Sequence, residues 1–425
     1  MANFGGVFVK MRLFILTALI FFVNSCATKK LPKNPLHGAK PIASFDAITL
    51  NSMADKFGIN GLKPFGYDAY KVSYNTYDLK DNRIKVSGVV TLPTLNGADK
   101  NTIDRLNKLK SKGLSIVLVC HSTIFSNKKS PSIRAKESKY PTIVSSVYSG
   151  GGGFITAIPD YIGFGDSNDK LHPYLIKKPS VNAVVDMLKA TIKFAKQNSI
   201  KLSGDVYISG YSQGGYVALA SLKALEDRGY KVRIAMPMAG SYLLDYTGKA
   251  LLSQESYLSP SYIADLLYSY ATYYNIKEDK LINSKYSKNL KELFSGKYDK
   301  KYIDNRLTNN LHGDNGLLSS WLEKNYEGSK FQKKLIENSA IYDNSNFRAK
   351  IEFARCKADK TVPFVIAQKA VSILKSNGVD AEITFVEGKL DIKEQLNHSQ
   401  CYLPAFIHSL NVLANDRDER LGIDE

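Results

Sequence analysis

The sequence predicts an α/β fold: a doubly wound, mostly parallel sheet with a helical cap inserted late in the chain. Three observations predict it. Six short apolar runs without polar alternation recur along the chain: LSIVLVC, FITAIP, DVYISG, VRIAMPM, KIEFARC and AEITFV. Such runs suit parallel strands covered on both faces. Helical periods fall between several of them, and that alternation is the signature of a doubly wound sheet. Between the fourth and fifth runs, from Ser241 to Ser345, no convincing parallel strand can be read.

Taken in order, residues 1–26 read as a signal segment. From Met11 the chain runs MRLFILTALIFFVNSCATKK: a basic residue, an apolar stretch from Leu13 to Val23, a small residue and Cys26. The stretch is short for a membrane span and has signal-peptide anatomy. Either Met1 or Met11 serves as the start. VNSC resembles a bacterial lipoprotein box, which implies acylation of Cys26 and anchoring outside the cytoplasm. Plain cleavage with secretion, or an uncleaved anchor, are the alternatives. Residues 27–43 read as a polar linker.

A first part of the core spans 44–240. In YKVSYNTYDLKDNRIKVSGVVTLP, apolar and polar residues alternate on both sides of Asp81-Asn82-Arg83. That is an antiparallel strand pair around a turn. An amphipathic helix follows FITAIP, with Val181, Val184, Val185, Leu188, Ile192 and Ala195 on one face and Ser180 as its N-cap. Gly150–Gly153 read as a tight turn, because no Gly-Lys-Ser/Thr follows to make a phosphate loop. Residues 241–345, rich in Tyr, Leu, Lys and Asn, read as a helical cap over a ligand site. Residues 346–425 return to the core, with a helix after Pro363 that ends near Asn377-Gly378.

Composition sets the outer bounds. The 425 residues are 44% hydrophobic and 11% aromatic, enough for a sizeable core. The net charge of +18 comes mostly from scattered lysines, which reads as a solvated surface with no nucleic-acid stripe. With Cys26 set aside, Cys120, Cys356 and Cys401 remain. They make no disulfide framework and no metal spacing, so they read as buried thiols with room for one unassigned bridge.

The chemistry concentrates at Gly210-Tyr211-Ser212-Gln213-Gly214, a G-x-S-x-G between a strand and a helix. There a sharp turn exposes the serine at the strand's carboxyl end, and Gly210 and Gly214 keep the two elements from colliding. The order Ser…Asp/Glu…His expected of such a site makes His398, beyond the last strand, the base. Asp359, just past KIEFAR, is the orienting acid, with Glu387 and Asp391 as competitors. His408 reads as a helix residue in a packed or surface role. Oxyanion donors would come from the N–H of Gln213 and from Ser122 or Thr123 after LSIVLVC.

In series, SGVVTLP, VLVCHST, PDYIGFGDS, HPY, GYSQGG, AMPMAGSY, KADKTVP and His398 resemble the secretory-lipase-like branch of the α/β-hydrolases, over about Ser44 to Asn415. The resemblance implies an α/β-hydrolase fold and a lipase or carboxylesterase working through Ser212, Asp359 and His398 without metal or organic cofactor. It places His121, Asp160, Tyr161 and Tyr211 along the approach to the site, with turn architecture as the alternative for Asp160 and Tyr161. Its implied partners are a lipid or small-molecule ester and, through Cys26, a membrane. Where relatives carry His-Gly-Thr, this chain has His121-Ser122-Thr123, and serine lacks glycine's backbone freedom. Two other functions fit the residues: a prolyl-peptidase-like serine peptidase and a noncatalytic lipoprotein that binds an apolar ligand.

Overall fold

The computed structural model describes residues 36–56, 63–137 and 142–423. The signal segment and Cys26 lie outside the described residues, as does the first part of the linker.

Nine strands form one sheet: β1 (Leu36–Phe45), β2 (Gly66–Tyr77), β3 (Arg83–Thr94), β4 (Leu114–Cys120), β5 (Ile155–Pro159), β6 (Leu202–Tyr211), β7 (Lys231–Met238), β8 (Lys350–Arg355) and β9 (Ala381–Phe385). Their spatial order is β1-β2-β3-β5-β4-β6-β7-β8-β9. The first three strands are antiparallel, β3 pairs antiparallel with β5, and every later pair is parallel. All six apolar runs are strands, and β4 is buried along its whole length.

Four local readings need correction. Residues 36–43, read as linker, belong to β1, an edge strand in register with β2 from Leu36↔Tyr74 to Phe45↔Tyr67. Half of its residues are exposed and Pro41 removes one donor, so the segment has the composition of a linker while its backbone pairs. The amphipathic helix starts at Lys177, not at Ser180. Ser180 sits in its first turn and donates its hydroxyl to the Ile176 carbonyl. Gly150 and Gly151 end a π-helical segment, Ser146–Gly151, and only Gly152 and Gly153 form the turn that leads into β5. Finally, Cys356 and Cys401 form a disulfide, while Cys120 is a free buried thiol whose pKa burial pushes up to about 12.

Between β7 and β8 the chain is helical, with its longest helices at Leu244–Leu252, Pro260–Tyr274 and Lys330–Asn338. Proline at the first position and a left-handed Asn275 at the end bound the middle one, called here the cap helix. Among the described residues no helix is long and apolar enough to cross a membrane.

Candidate active site

The site sits at the carboxyl ends of β4, β6, β8 and β9. Ser212 follows β6 directly and has φ 59° and ψ −119°, a positive-φ conformation outside the left-handed helical region that a non-glycine residue adopts only under constraint. Its N–H donates to the Met238 carbonyl at 2.8 Å, which pins the turn to β7. The helix Gln213–Glu226 then leaves at once. A Cβ at Gly214 would lie 1.9 Å from the Cys120 carbonyl oxygen, so this close crossing of strand and helix admits glycine alone.

His398 Nε2 stands 3.0 Å from Ser212 Oγ, and His398 Nδ1 stands 2.7 Å from Asp359 Oδ2. The other carboxylate oxygen of Asp359 accepts the N–H groups of Thr361 (2.9 Å) and Val362 (3.1 Å), so the carboxylate is fixed in plane and orientation. The Asp359 side chain is fully buried and His398 nearly so. Tyr211 lies behind the imidazole, 5.0 Å between ring centroids, and donates its hydroxyl to the His398 carbonyl at 2.7 Å. Tyr211 therefore holds the base from behind and does not line an approach.

The competitors do other work. Glu387 accepts the N–H groups of Lys357 and Leu396, tying the Asp359 loop to the His398 loop. The Cys356–Cys401 disulfide ties the same two loops a few residues further out. Asp391 is exposed and paired with Lys393. His408 is buried against Glu352 at 2.6 Å.

Of the expected oxyanion donors, Gln213 is the first residue of its helix, where a backbone N–H has no intrahelical acceptor. Thr123 Oγ1 meets Tyr174 Oη at 3.0 Å. Ser122 has no positive φ, so the position makes no use of glycine's freedom here, and its buried hydroxyl meets no partner. His121 Nδ1 lies 2.7 Å from the Ser122 carbonyl and Nε2 lies 3.2 Å from the Asp160 carbonyl, so the buried ring bridges the two loops. Asp160 and Tyr161 are wholly buried and do not reach the cleft. Asp160 accepts from Ser87 Oγ (2.5 Å) and the Ser132 N–H (2.8 Å), which makes it architecture and not approach.

A narrow cleft of about 60 Å³ opens over Ser212 and Gln213. Its cap side is apolar, with Leu251, Ile263 and Leu266 beside Tyr257 and Tyr262. Tyr257 Oη donates to the Thr361 carbonyl, joining cap to core beside the cleft. These lining residues were not legible in the sequence, because helical periodicity does not reveal which face meets the site. Nor was the role of His172, which stands next to Gln213.

The chain has the α/β-hydrolase fold. A sequence model of the prolyl oligopeptidase family matches residues 144–283, which include the serine turn. No curated protein matches the chain. Among solved structures, a protein of Legionella pneumophila assigned as a hydrolase is similar over 90% of this chain and 98% of its own, with TM-score 0.77 and 20% identity. The rice cell wall degrading esterase LipA from Xanthomonas oryzae is similar over 92% and 99%, with TM-score 0.73 and 17% identity. Candida antarctica lipase A is similar over 83% and 76%, with TM-score 0.58 and 13% identity.

Proposed function

We propose that the protein is a serine ester hydrolase acting outside the cytoplasm on short-chain carboxylic esters. The observation that carries the reading is the unbroken relay Ser212–His398–Asp359, at 3.0 and 2.7 Å, beneath an apolar cleft. Ser212 Oγ attacks the ester carbonyl while His398 Nε2 takes its proton. Asp359 keeps the remaining proton on Nδ1 and stabilises the imidazolium. The N–H groups of Gln213 and of Thr123 or Ser122 receive the oxyanion, the alcohol leaves with the proton from His398, and water activated by the same ring clears the acyl-enzyme.

The narrow cleft favours a short acyl group. For scale, an engineered cavity of about 150 Å³ binds benzene. The 60 Å³ here suits an acyl group of roughly two to four carbons. A panel of p-nitrophenyl esters should therefore peak between acetate and butyrate and fall steeply by decanoate. The match to the prolyl oligopeptidase family favours a second reading, a serine peptidase. Aminoacyl-nitroanilides in the same panel separate the two, and faster turnover of the anilides would reverse the assignment. A fluorophosphonate should label the wild type and leave Ser212→Ala unlabelled. No labelling of folded wild type would point to a noncatalytic ligand binder.

The Cys356–Cys401 disulfide supports residence in an oxidising compartment, as the lipoprotein-like box at Cys26 implies. Mass analysis of the mature N-terminus tests the anchor: a diacylated Cys26 is expected, and an unmodified N-terminus beyond it would mean secretion.

A further inference from the structure

The His-Pro-Tyr stretch at His172–Tyr174 takes no part in the relay, yet it touches Gln213 and Thr123, two of the three residues expected at the oxyanion hole. Gln213 Nε2 lies 2.6 Å from His172 Nε2. His172 Nδ1 lies 2.8 Å from the Ile162 carbonyl, which can only accept, so Nδ1 carries the proton. A neutral imidazole has one N–H, and burial pushes the His172 pKa down to about 3, so Nε2 stays an acceptor at neutral pH. That determines the Gln213 amide: its NH₂ must face His172, and its Oε1 meets no partner among the described residues. Two residues on, Tyr174 Oη meets Thr123 Oγ1 at 3.0 Å.

The stretch is itself held from the far side. On the cap helix, Ser269 Oγ donates to the His172 carbonyl (3.3 Å), Tyr270 Oη to that of Leu175 (3.0 Å) and Tyr273 Oη to that of Leu171 (2.6 Å). Tyr216, one turn along the helix that follows Ser212, also donates to the Leu175 carbonyl. The ring of His172 packs against Tyr161 and Phe164, with centroids 5.9 and 4.9 Å away.

We propose that His172 and Tyr174 are positioning residues of the oxyanion hole, acting through Gln213 and Thr123, and that the cap helix braces them. The proposal rests on the hydrolase reading above. Its physical basis is the steep angular dependence of hydrogen bonds: a donor turned away from the developing charge loses much of its effect. One short segment fixes the side chains of Gln213 and Thr123, so their N–H groups keep a common aim.

The test compares Tyr174→Phe, His172→Phe and His172→Gln with wild type on a short-chain ester and on its thiono analogue, whose C=S accepts N–H bonds poorly. Removal of a whole oxyanion donor costs about 10²–10³ in kcat, so misaiming one should cost roughly tenfold. Tyr174→Phe and His172→Phe should lose about that much kcat with KM little changed. Their preference for the oxo-ester over the thiono-ester should shrink by a similar factor. His172→Gln, which returns an acceptor near the Nε2 position, should recover most of both. Tyr174→Phe deletes one hydroxyl and serves as the variant least prone to misfolding. Unchanged kcat in Tyr174→Phe, a loss confined to KM, or a kcat loss with an unaltered oxo/thiono ratio each overturns the positioning role alone. Folded wild type that neither turns over esters nor reacts with a fluorophosphonate overturns the hydrolase reading, and the positioning role with it.

Discussion

At Asp359 a single proton decides whether the relay can work. One carboxylate oxygen takes two backbone N–H groups and the other faces His398 Nδ1. In Asp359→Asn an amide NH₂ would face Nδ1 and favour the other tautomer, with the proton on Nε2. The ring could then no longer accept from Ser212. Loss of about 10⁴ in kcat is expected, with folding preserved. Steady-state kinetics beside a thermal melt checks both halves. The strained backbone at Ser212 belongs to the same scale: its positive-φ conformation is held by the bond to Met238 and by the close glycine crossing, so the neighbours bear the cost of exposing the hydroxyl.

At the scale of elements, the cap helix carries a carboxyl with no compensation. Asp265 is buried, and no donor or cation among the described residues offsets the desolvation that raises its pKa well above 3.8. The native carboxyl thus stays protonated where the unfolded one ionises. Between 3.8 and the raised value the unfolded chain binds fewer protons, so stability falls as pH rises through that window. Asparagine has no proton to lose. Asp265→Asn should match wild type near about pH 4 and exceed it progressively as pH rises above the unfolded carboxyl's pKa, by up to about 1.4 kcal/mol per pH unit. Denaturant melts across that range provide the check, and a constant offset would show that the carboxyl is ionised in the native state.

Over the whole molecule, the last two strands end in loops that must meet a serine from the middle of the sheet. The disulfide joins them across 45 residues, and Glu387 repeats the tie through two backbone N–H groups. Closing a loop of that length restricts the unfolded chain, so Cys356→Ser with Cys401→Ser should lower stability by about 2–4 kcal/mol. Activity should fall as well, because the bridge lies three residues from Asp359 on one side and three from His398 on the other. Chemical denaturation together with kcat at a temperature where the variant stays folded measures each effect. A variant with lower stability and full kcat would show that Glu387 alone aligns the loops.

By itself, the sequence determined the parallel strands, the turn at Ser212 and the order in which acid and base follow it. Each depends on local pattern: apolar runs report burial on both faces, and Gly-x-Ser-x-Gly set between a strand pattern and a helix pattern marks a tight crossing. Tertiary structure alone decided which distant groups meet. β1 was illegible because a half-exposed edge strand with Gly38 and Pro41 carries the residues of a linker, and only its pairing with β2 makes it a strand. The Cys356–Cys401 bond, the withdrawal of Asp160 and Tyr161 from the cleft and the meeting of His172 with Gln213 were hidden for the same reason. Periodicity says which way a side chain faces along its own element, and only the packed chain says what it faces.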